Sequence, residues 1–199
     1  MGRLLITIFS VTLITACAAP VTNERYEKTV FVTIEGFKSD LGGLNGADAK
    51  CQAEVNHPDS IVNAGTYFAW LSDGTESPST RFAKSSYPYV LPDGTKIAEN
   101  YGDLTDGSIL HAINIDAKGN PVKGLQRFWT DTNSDGTAAQ EFKPDYKFNS
   151  CNAWTGSDVY DASAITGTTV EMKGSWTYKY LAYCKYKGRE KYRLACFEQ

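Results

Sequence analysis

The residue pattern closest to a known chemical site is a run of oxygen-bearing side chains in the middle of the chain. Asp131, Asn133, Asp135 and Gly136 match the first, third, fifth and sixth positions of an EF-hand calcium loop. Such a loop also needs a bidentate glutamate at its twelfth position, where this sequence has Phe142. The preceding run "LQRFWT" is typical of a strand, so the first flanking helix is missing as well. Asp131, Asn133 and Asp135 are therefore weak candidate calcium ligands, and we expect the run to form an Asn/Asp/Gly turn.

Other residue combinations that carry catalysis or metal binding are missing from the sequence. The two histidines, His57 and His111, belong to no HExxH or CxxC pattern. The sequence has no GxSxG nucleophile motif and no glycine-rich phosphate loop. Four acidic residues in the predicted loops are interpreted as turn and capping residues: Asp93, Asp103, Asp106 and Asp116. We therefore predict a protein with no catalytic residues, no cofactor and no metal beyond the weak calcium candidate.

The N-terminal residues resemble an export signal followed by a lipid attachment site. "MGRLLITIFSVTLITAC" has one basic residue, Arg3, then an apolar stretch from Leu4 to Leu13 that is too short for a permanent membrane span. "ITAC", ending at Cys17, resembles the bacterial lipobox, in which the cysteine is lipidated and becomes the new N-terminus. We predict a signal peptide over 1–16, a lipidated tether over 17–28 and a folded domain over 29–199. The alternative is an ordinary secretory signal with an unrelated Cys17.

Charge and length narrow the class of partner. The formal net charge is −3, and it becomes −4 if cleavage removes Arg3, the only charged residue before Cys17. A mildly acidic chain argues against nucleic acid as the partner. Residues 17–199 are enough for one well-buried domain, and no long linker or repeat divides them.

Cations cluster near the C-terminus in spite of the acidic total. The members of this cluster that we consider candidate partner-binding residues are Lys185, Lys187, Arg189, Lys191 and Arg193. One interpretation is a solvated strand edge whose lysines discourage aggregation. The other is a basic ridge that meets acidic host proteins or sulfated glycans, with salt-sensitive binding.

Four cysteines remain in the predicted domain: Cys51, Cys151, Cys184 and Cys196. An even number in an exported chain indicates two disulfides. Four cysteines allow three pairings, and their positions alone do not choose among them.

The apolar patterning predicts an α+β domain with one or two helices, many short strands and long loops. A helix is expected between "LGGLNG" and Pro58, capped by Asn45, with Leu44, Ala47, Cys51 and Val55 on its buried face. Strands are expected from Lys28 to Phe37, from Thr66 to Ser72 and at "LQRFWT". One or two turns of helix are expected at "SPSTRFAK", and a hairpin around Pro92-Asp93-Gly94. Residues 101–124 are expected to be mostly loops.

The end of the chain predicts two neighbouring strands, "SWTYKYLAYCKY" and "EKYRLACFE", joined by a turn at 187–189. In the first, Leu181 and Tyr183 should share one face while Ala182 and Cys184 share the other. In the second, Tyr192, Leu194 and Cys196 should face inward, and Lys191 and Arg193 outward.

Six ordered motifs resemble one bacterial family. They are "GGLNGADAKCQAE", "TYFAWLSDGTESPSTRF", "YVLPDGTKIAENYGDLTDGS", "FWTDTNSDGT", "CNAWTGS" and "YRLACFEQ", which together cover the chain from about Val30 to Gln199. In this order they are similar to the leptospiral endostatin-like outer-membrane lipoproteins. The resemblance implies an endostatin-like version of the C-type-lectin-like fold, with Cys51 paired to Cys196 and Cys151 paired to Cys184.

The resemblance also implies a function. Members of this family are surface adhesins that bind extracellular-matrix proteins such as laminin and fibronectin, and some bind complement factor H, plasminogen or fibrinogen. It implies a lipid-anchored, surface-exposed protein of the outer membrane, which the Ala18 after Cys17 also favours. Two alternatives remain open: a carbohydrate-binding lectin-like domain, and a structural lipoprotein that faces the periplasm. The Glu-Pro-Asn, Gln-Pro-Asp and Trp-Asn-Asp runs of calcium-dependent lectins are absent from the sequence.

Overall fold

A computed structural model describes Gly2 and residues 26–139, 147–148, 150–156, 162–184 and 190–199, with backbone alone at 147–148. The predicted signal peptide, apart from Gly2, and Cys17 lie outside these residues. The described chain is of the mixed α+β class, as the patterning predicted. Its strands are β1 Lys28–Val32, β2 Tyr67–Ala69, β3 Tyr89–Val90, β4 Lys96–Ala98, β5 Arg127–Trp129, β6 Lys147–Phe148, β7 Ala162–Thr168, β8 Tyr180–Tyr183 and β9 Ala195–Glu198. Its helices are α1 Gly43–Val55, α2 Pro78–Arg81 and α3 Tyr101–Leu104, with a 3₁₀ turn at Gly174–Trp176.

The larger sheet has the strand order β2-β9-β1-β3-β4. Strands β1 and β3 are parallel, while the other neighbours are antiparallel. Strand β1 lies in the middle, and alternate side chains enter two separate apolar cores. Phe31 packs in one core with Cys51 and Leu194. Val30 and Val32 pack in the other, with Trp70 and Trp176 among their neighbours.

The smaller sheet is built around β7, which pairs with β5, β6 and β8. The predicted pairing of the last two strands is therefore wrong. Strand β8 pairs with β7, whereas β9 pairs with β1 and β2 in the larger sheet. Their apolar patterns are similar, and only the long-range pairing with β7 and β1 separates them. Within β8 the predicted alternation is confirmed, since Leu181 and Tyr183 are exposed while Ala182 and Cys184 are buried.

Helix α1 buries the predicted face, formed by Leu44, Ala47, Cys51 and Val55. Its predicted cap is wrong: the helix begins at Gly43, and Asn45 lies exposed in its first turn. The N-cap is Gly42, which has a φ of 87°, a left-handed conformation that glycine adopts without a steric penalty. Two glycines therefore turn the chain into the helix before Asn45 is reached.

The short elements follow the sequence in part. The helical turn α2 and the antiparallel pair β3–β4 confirm the turn at "SPSTRFAK" and the hairpin around Asp93. Residues 101–124 are mostly loops, as predicted, apart from α3, where the Asn100 side chain accepts a hydrogen bond from the Asp103 N–H at 3.1 Å and caps one helical turn. Strand β1 ends at Val32, earlier than the predicted Phe37, although Phe37 makes an isolated bridge with Tyr192.

Two disulfides join these elements. Cys51 pairs with Cys196, which links α1 to β9, and Cys151 pairs with Cys184. This is the nested pairing that the family resemblance implied. Cys151 belongs to a left-handed turn, Ser150–Trp154, in which every residue has a positive φ between 50° and 63°. Non-glycine residues seldom adopt that conformation because Cβ crowds the backbone.

Among the described residues, no helix has both the length and the apolar character needed to cross a membrane.

Candidate partner-binding groove

The five predicted partner-binding cations divide between described and undescribed residues. Lys185, Lys187 and Arg189 lie outside the described residues. Lys191 is exposed, as predicted. Arg193 is only half exposed, which corrects the expectation that it points freely outward, because its guanidinium donates to the backbone carbonyls of Thr33 and Ile34.

Lys191 and Arg193 line a surface groove of about 340 Å³, which we call the cationic groove. Its lining comes from three chain segments: 34–36 after β1, 125–127 at the start of β5, and 191–193 before β9. A β-carbon on Gly36 would lie 3.1 Å from the backbone of Lys191, so a glycine is what allows the first wall to approach the third so closely.

The segment 191–193 is held by backbone hydrogen bonds on both sides. Tyr192 and Phe37 exchange two of them, at 2.7 and 2.9 Å. On the other side, the Arg193 N–H donates to the Arg127 carbonyl and the Trp129 N–H donates to the Arg193 carbonyl, both at 3.0 Å. These bonds join segment 191–193 to the chain after β1 on one edge and to β5 on the other.

Arg127 was not predicted as a functional residue, but it is a cation of the groove that two tyrosine side chains hold in place. Its guanidinium carbon lies 4.1 Å from the centre of the Tyr180 ring and 5.8 Å from that of Tyr192. Its Nη1 also donates to the Tyr192 hydroxyl at 3.4 Å. Tyr192 in turn packs edge-on against buried Trp129, with the ring centres 4.6 Å apart. A chain of aromatic contacts thus fixes the guanidinium from the core outward.

Tyr192 is kept as a neutral phenol in this arrangement. Burial and the nearby Glu190 carboxylate, to which its hydroxyl donates at 2.6 Å, raise the pKa of Tyr192 to about 12. The ring therefore adds no negative charge beside Arg127.

The groove carries an excess of positive charge. Of its charged lining residues, Arg127, Lys191 and Arg193 are cations and Glu35 is an anion. Over the described residues, none of the three cations forms an ion pair, whereas Arg81, Lys96, Lys118 and Lys179 each pair with a carboxylate. The opposing charges nearby are Glu35 in the lining and Glu190 beside Tyr192. Cations that outnumber them at a groove attract an acidic ligand and speed its encounter.

The groove lies at one end of the larger sheet. It is formed around residues 34–36, just beyond the C-terminal end of β1, whereas the chain enters β1 from Tyr26 at the opposite end. Lys28 at that entry donates to the backbone carbonyl of Gln199 at 2.8 Å, so the entry to β1 and the C-terminal residue lie together, away from the groove.

The weak calcium candidates do not converge in the structure. Asp131 is 1% exposed, and its carboxylate accepts the backbone N–H of Ile165 inside the domain. The Asn133 amide donates to Thr137 and Ala138, both at 3.1 Å. Asp135 accepts the Thr137 N–H at 2.9 Å, which closes the predicted turn. Across the part of the chain that the structure describes, no three His, Cys, Asp or Glu side chains come together as metal ligands.

The remaining polar residues singled out in the sequence have local roles. Asp93, Asp103, Asp106 and Asp116 each accept a backbone N–H within four residues, which confirms them as turn and capping residues. His111 bonds the Lys96 carbonyl at 2.8 Å. His57 lines a second groove of about 440 Å³ with Lys50 and Lys118, on the other side of Ile34 and Glu35.

Neither a protein-family model nor a curated protein matches this sequence.

The sequence predicted two cations of the groove, Lys191 and Arg193, but it did not predict Arg127. Arg127 is separated from Lys191 by more than sixty residues, and it is the only charged residue in "LQRFWT". Only the bridge between Phe128 and Arg193 brings the two segments together. No spacing in the sequence carries that information.

Proposed function

We propose that this protein is a non-catalytic surface adhesin of the endostatin-like lipoprotein family, tethered to the outer membrane through lipid on Cys17. It binds host extracellular-matrix proteins of the laminin and fibronectin type, and complement factor H or plasminogen are further partners to be tested. The observation that carries the proposal is the cationic groove. It has three cations that form no ion pair with any described residue, and it lies at the end of β1 opposite the chain's entry from Tyr26. An anchored domain would then present that groove away from the membrane.

Two further observations support the proposal. The ordered motifs cover nearly the whole domain, and the two disulfides have the pairing that the resemblance implies. Disulfides suit a protein that folds outside the cytoplasm, where thiols are oxidised.

The binding test uses the chain from Tyr26 to Gln199 against immobilised laminin, fibronectin, factor H and plasminogen at low and at physiological salt. We expect saturable binding that weakens as salt rises, because screening acts on charges at an exposed groove. A variant with serine at the five candidate positions 185, 187, 189, 191 and 193 should bind more weakly than the wild type. Lys96→Gln, a cation on β4 that does not line the groove, is the matched control. An affinity that changes neither with salt nor with the five replacements would contradict a role for these cations.

A second test addresses location. Protease added to intact cells should remove the domain, and radiolabelled fatty acid should be incorporated by the wild type but not by Cys17→Ser. A domain that is cleaved only after the outer membrane is broken would instead support the periplasm-facing alternative. Sugar binding that is abolished by a calcium chelator would support the lectin alternative.

A further inference from the structure

We infer that the cationic groove binds an extended acidic peptide whose glutamate or aspartate side chains alternate with apolar ones, and that Arg127 is its principal carboxylate-binding residue. This inference rests on the proposed function, because it names the kind of segment that a protein partner would offer to the groove.

The position of Arg127 supports a carboxylate ligand. A guanidinium is a planar fork of N–H donors that matches the two oxygens of a carboxylate. Tyr180 and Tyr192 hold this guanidinium by its face and by one N–H, and its other donors make no hydrogen bond to a described residue. A group that is already ordered loses little entropy when it binds.

Lys191 and Arg193 extend the positive charge along one side of the groove. Lys191 is exposed, with a mobile ammonium that can follow a second carboxylate. Arg193 uses one nitrogen for the Thr33 and Ile34 carbonyls, so it adds charge from a fixed place.

The groove is not uniformly polar, and this feature distinguishes a peptide from a sulfated glycan. Leu125, which is 52% exposed, and half-buried Ile34 line it beside the cations. Glu35 lines it as well and would repel a chain that is anionic at every unit. A strand-like peptide has alternating side chains, so it can place acidic groups toward the cations and apolar groups on Leu125 and Ile34.

The test uses the full chain, solubilised in detergent, and two short fluorescein-labelled peptides. One alternates glutamate with leucine, and the other alternates glutamine with leucine, which keeps the size and removes the charge. We expect fluorescence anisotropy to show binding of the glutamate peptide, at least about tenfold tighter than the glutamine peptide at low salt. Equal affinity for the two peptides in the wild-type protein would overturn the inference without reference to any variant.

Arg127→Lys tests the role of the fork because it keeps the charge and removes the planar pair of donors. We expect Arg127→Lys to lower the affinity for the glutamate peptide by about tenfold, and Lys96→Gln to leave that affinity unchanged. An unchanged affinity in Arg127→Lys with an unchanged melting temperature would contradict the role of Arg127. If the Arg127→Lys variant does not fold, Lys191→Gln should still lower the affinity for the glutamate peptide and leave the affinity for the glutamine peptide unchanged.

Two outcomes separate this inference from the proposed function. Matrix proteins that bind in an Arg127-independent way, with no binding of the glutamate peptide, would overturn the inference and leave the adhesin proposal standing. Binding of the glutamate peptide without binding of any matrix protein would overturn the adhesin proposal and leave the peptide inference standing. A heparin oligosaccharide that binds in an Arg127-dependent way while the glutamate peptide does not would replace the peptide with a sulfated glycan.

Discussion

The carboxylate of Asp131 accepts a hydrogen bond from the backbone N–H of Ile165 in the interior of the domain, where Asp131 is 1% exposed. In return, the backbone carbonyl of Ile165 accepts a hydrogen bond from the Asp131 N–H at 3.3 Å. A residue that resembled the first ligand of a calcium loop thus connects the end of β5 to the middle of β7. Its burial has consequences for stability as a function of pH.

Burial raises the pKa of Asp131 from 3.8 to about 8, and hydrogen bonds from Ile165 and Ser150 only partly oppose this effect. At a pH between those two values, Asp131 is protonated in the folded protein and ionised in the unfolded chain. The contribution of this group to the free energy of unfolding is therefore full below the lower value, and falls by about 1.4 kcal/mol per pH unit as pH rises toward the upper one.

Asp131→Asn keeps an acceptor for the Ile165 N–H and removes the proton. We expect urea denaturation to show a smaller loss of stability in the variant than in the wild type between about pH 5 and about pH 8. Parallel pH profiles for the two proteins would show that Asp131 is not protonated in the folded state.

The buried ion pair between Asp48 and Arg81 ties α1 to α2. Both side chains are largely buried, at 13% and 7% exposure, and Asp48 also accepts the Ala69 N–H at 2.8 Å. Asp48→Asn keeps that acceptor but leaves the guanidinium unpaired, so the free energy of unfolding should fall by about 3 kcal/mol or more. Glu99→Gln, which breaks the exposed pair with Lys96, should cost less than about 1 kcal/mol by the same measurement. Similar losses in the two variants would contradict the distinction between buried and exposed pairs.

Replacing alanine by glycine should have opposite effects on stability in the left-handed turn Ser150–Trp154 and in helix α1. Ala153 has a φ of 51°, which glycine adopts without the crowding of a β-carbon. Ala153→Gly should therefore raise the free energy of unfolding by up to about 1 kcal/mol. Ala49→Gly, at an exposed position inside α1, should lower it by about 1 kcal/mol. Destabilisation by both changes would show that the turn does not strain its alanine.

The two disulfides should differ in what they contribute. Their sequence separations are 145 residues for Cys51–Cys196 and 33 for Cys151–Cys184. Loop-closure entropy then gives upper values of about 5 and about 4 kcal/mol. Paired replacement by alanine should lower the melting temperature more for the outer pair than for the inner pair. The opposite order in calorimetry would indicate that local packing, rather than loop length, sets their effect.

The sequence predicted the features of this fold that depend on local pattern. The buried face of α1, the hairpin at β3–β4 and the alternation within β8 each follow from periodicity or turn chemistry over a few residues. Asn45 failed as a cap because two glycines upstream offered the backbone an earlier entry into the helix.

Long-range pairing was beyond the reach of those patterns. Strands β8 and β9 are close in sequence and similar in composition, yet they belong to different sheets because β8 pairs with β7 and β9 pairs with β1 and β2. The cationic groove has the same origin. Lys191 and Arg193 stood out as part of a basic cluster, while Arg127 became relevant only when β5 was placed beside 191–193.

The central place of β1 has a mechanical consequence. If the proposed lipid anchor precedes Tyr26 and the proposed ligand is held beyond Val32, tension from flowing liquid would pass along β1 from one end to the other. Hydrogen bonds to β9 and β3 run across that direction, so they would be loaded together in shear rather than opened one after another. Cys196, which faces Phe31 across the ladder, is bonded to Cys51 in α1, so β9 cannot slide without moving the helix. Such a connection would let a tethered cell hold its ligand under drag.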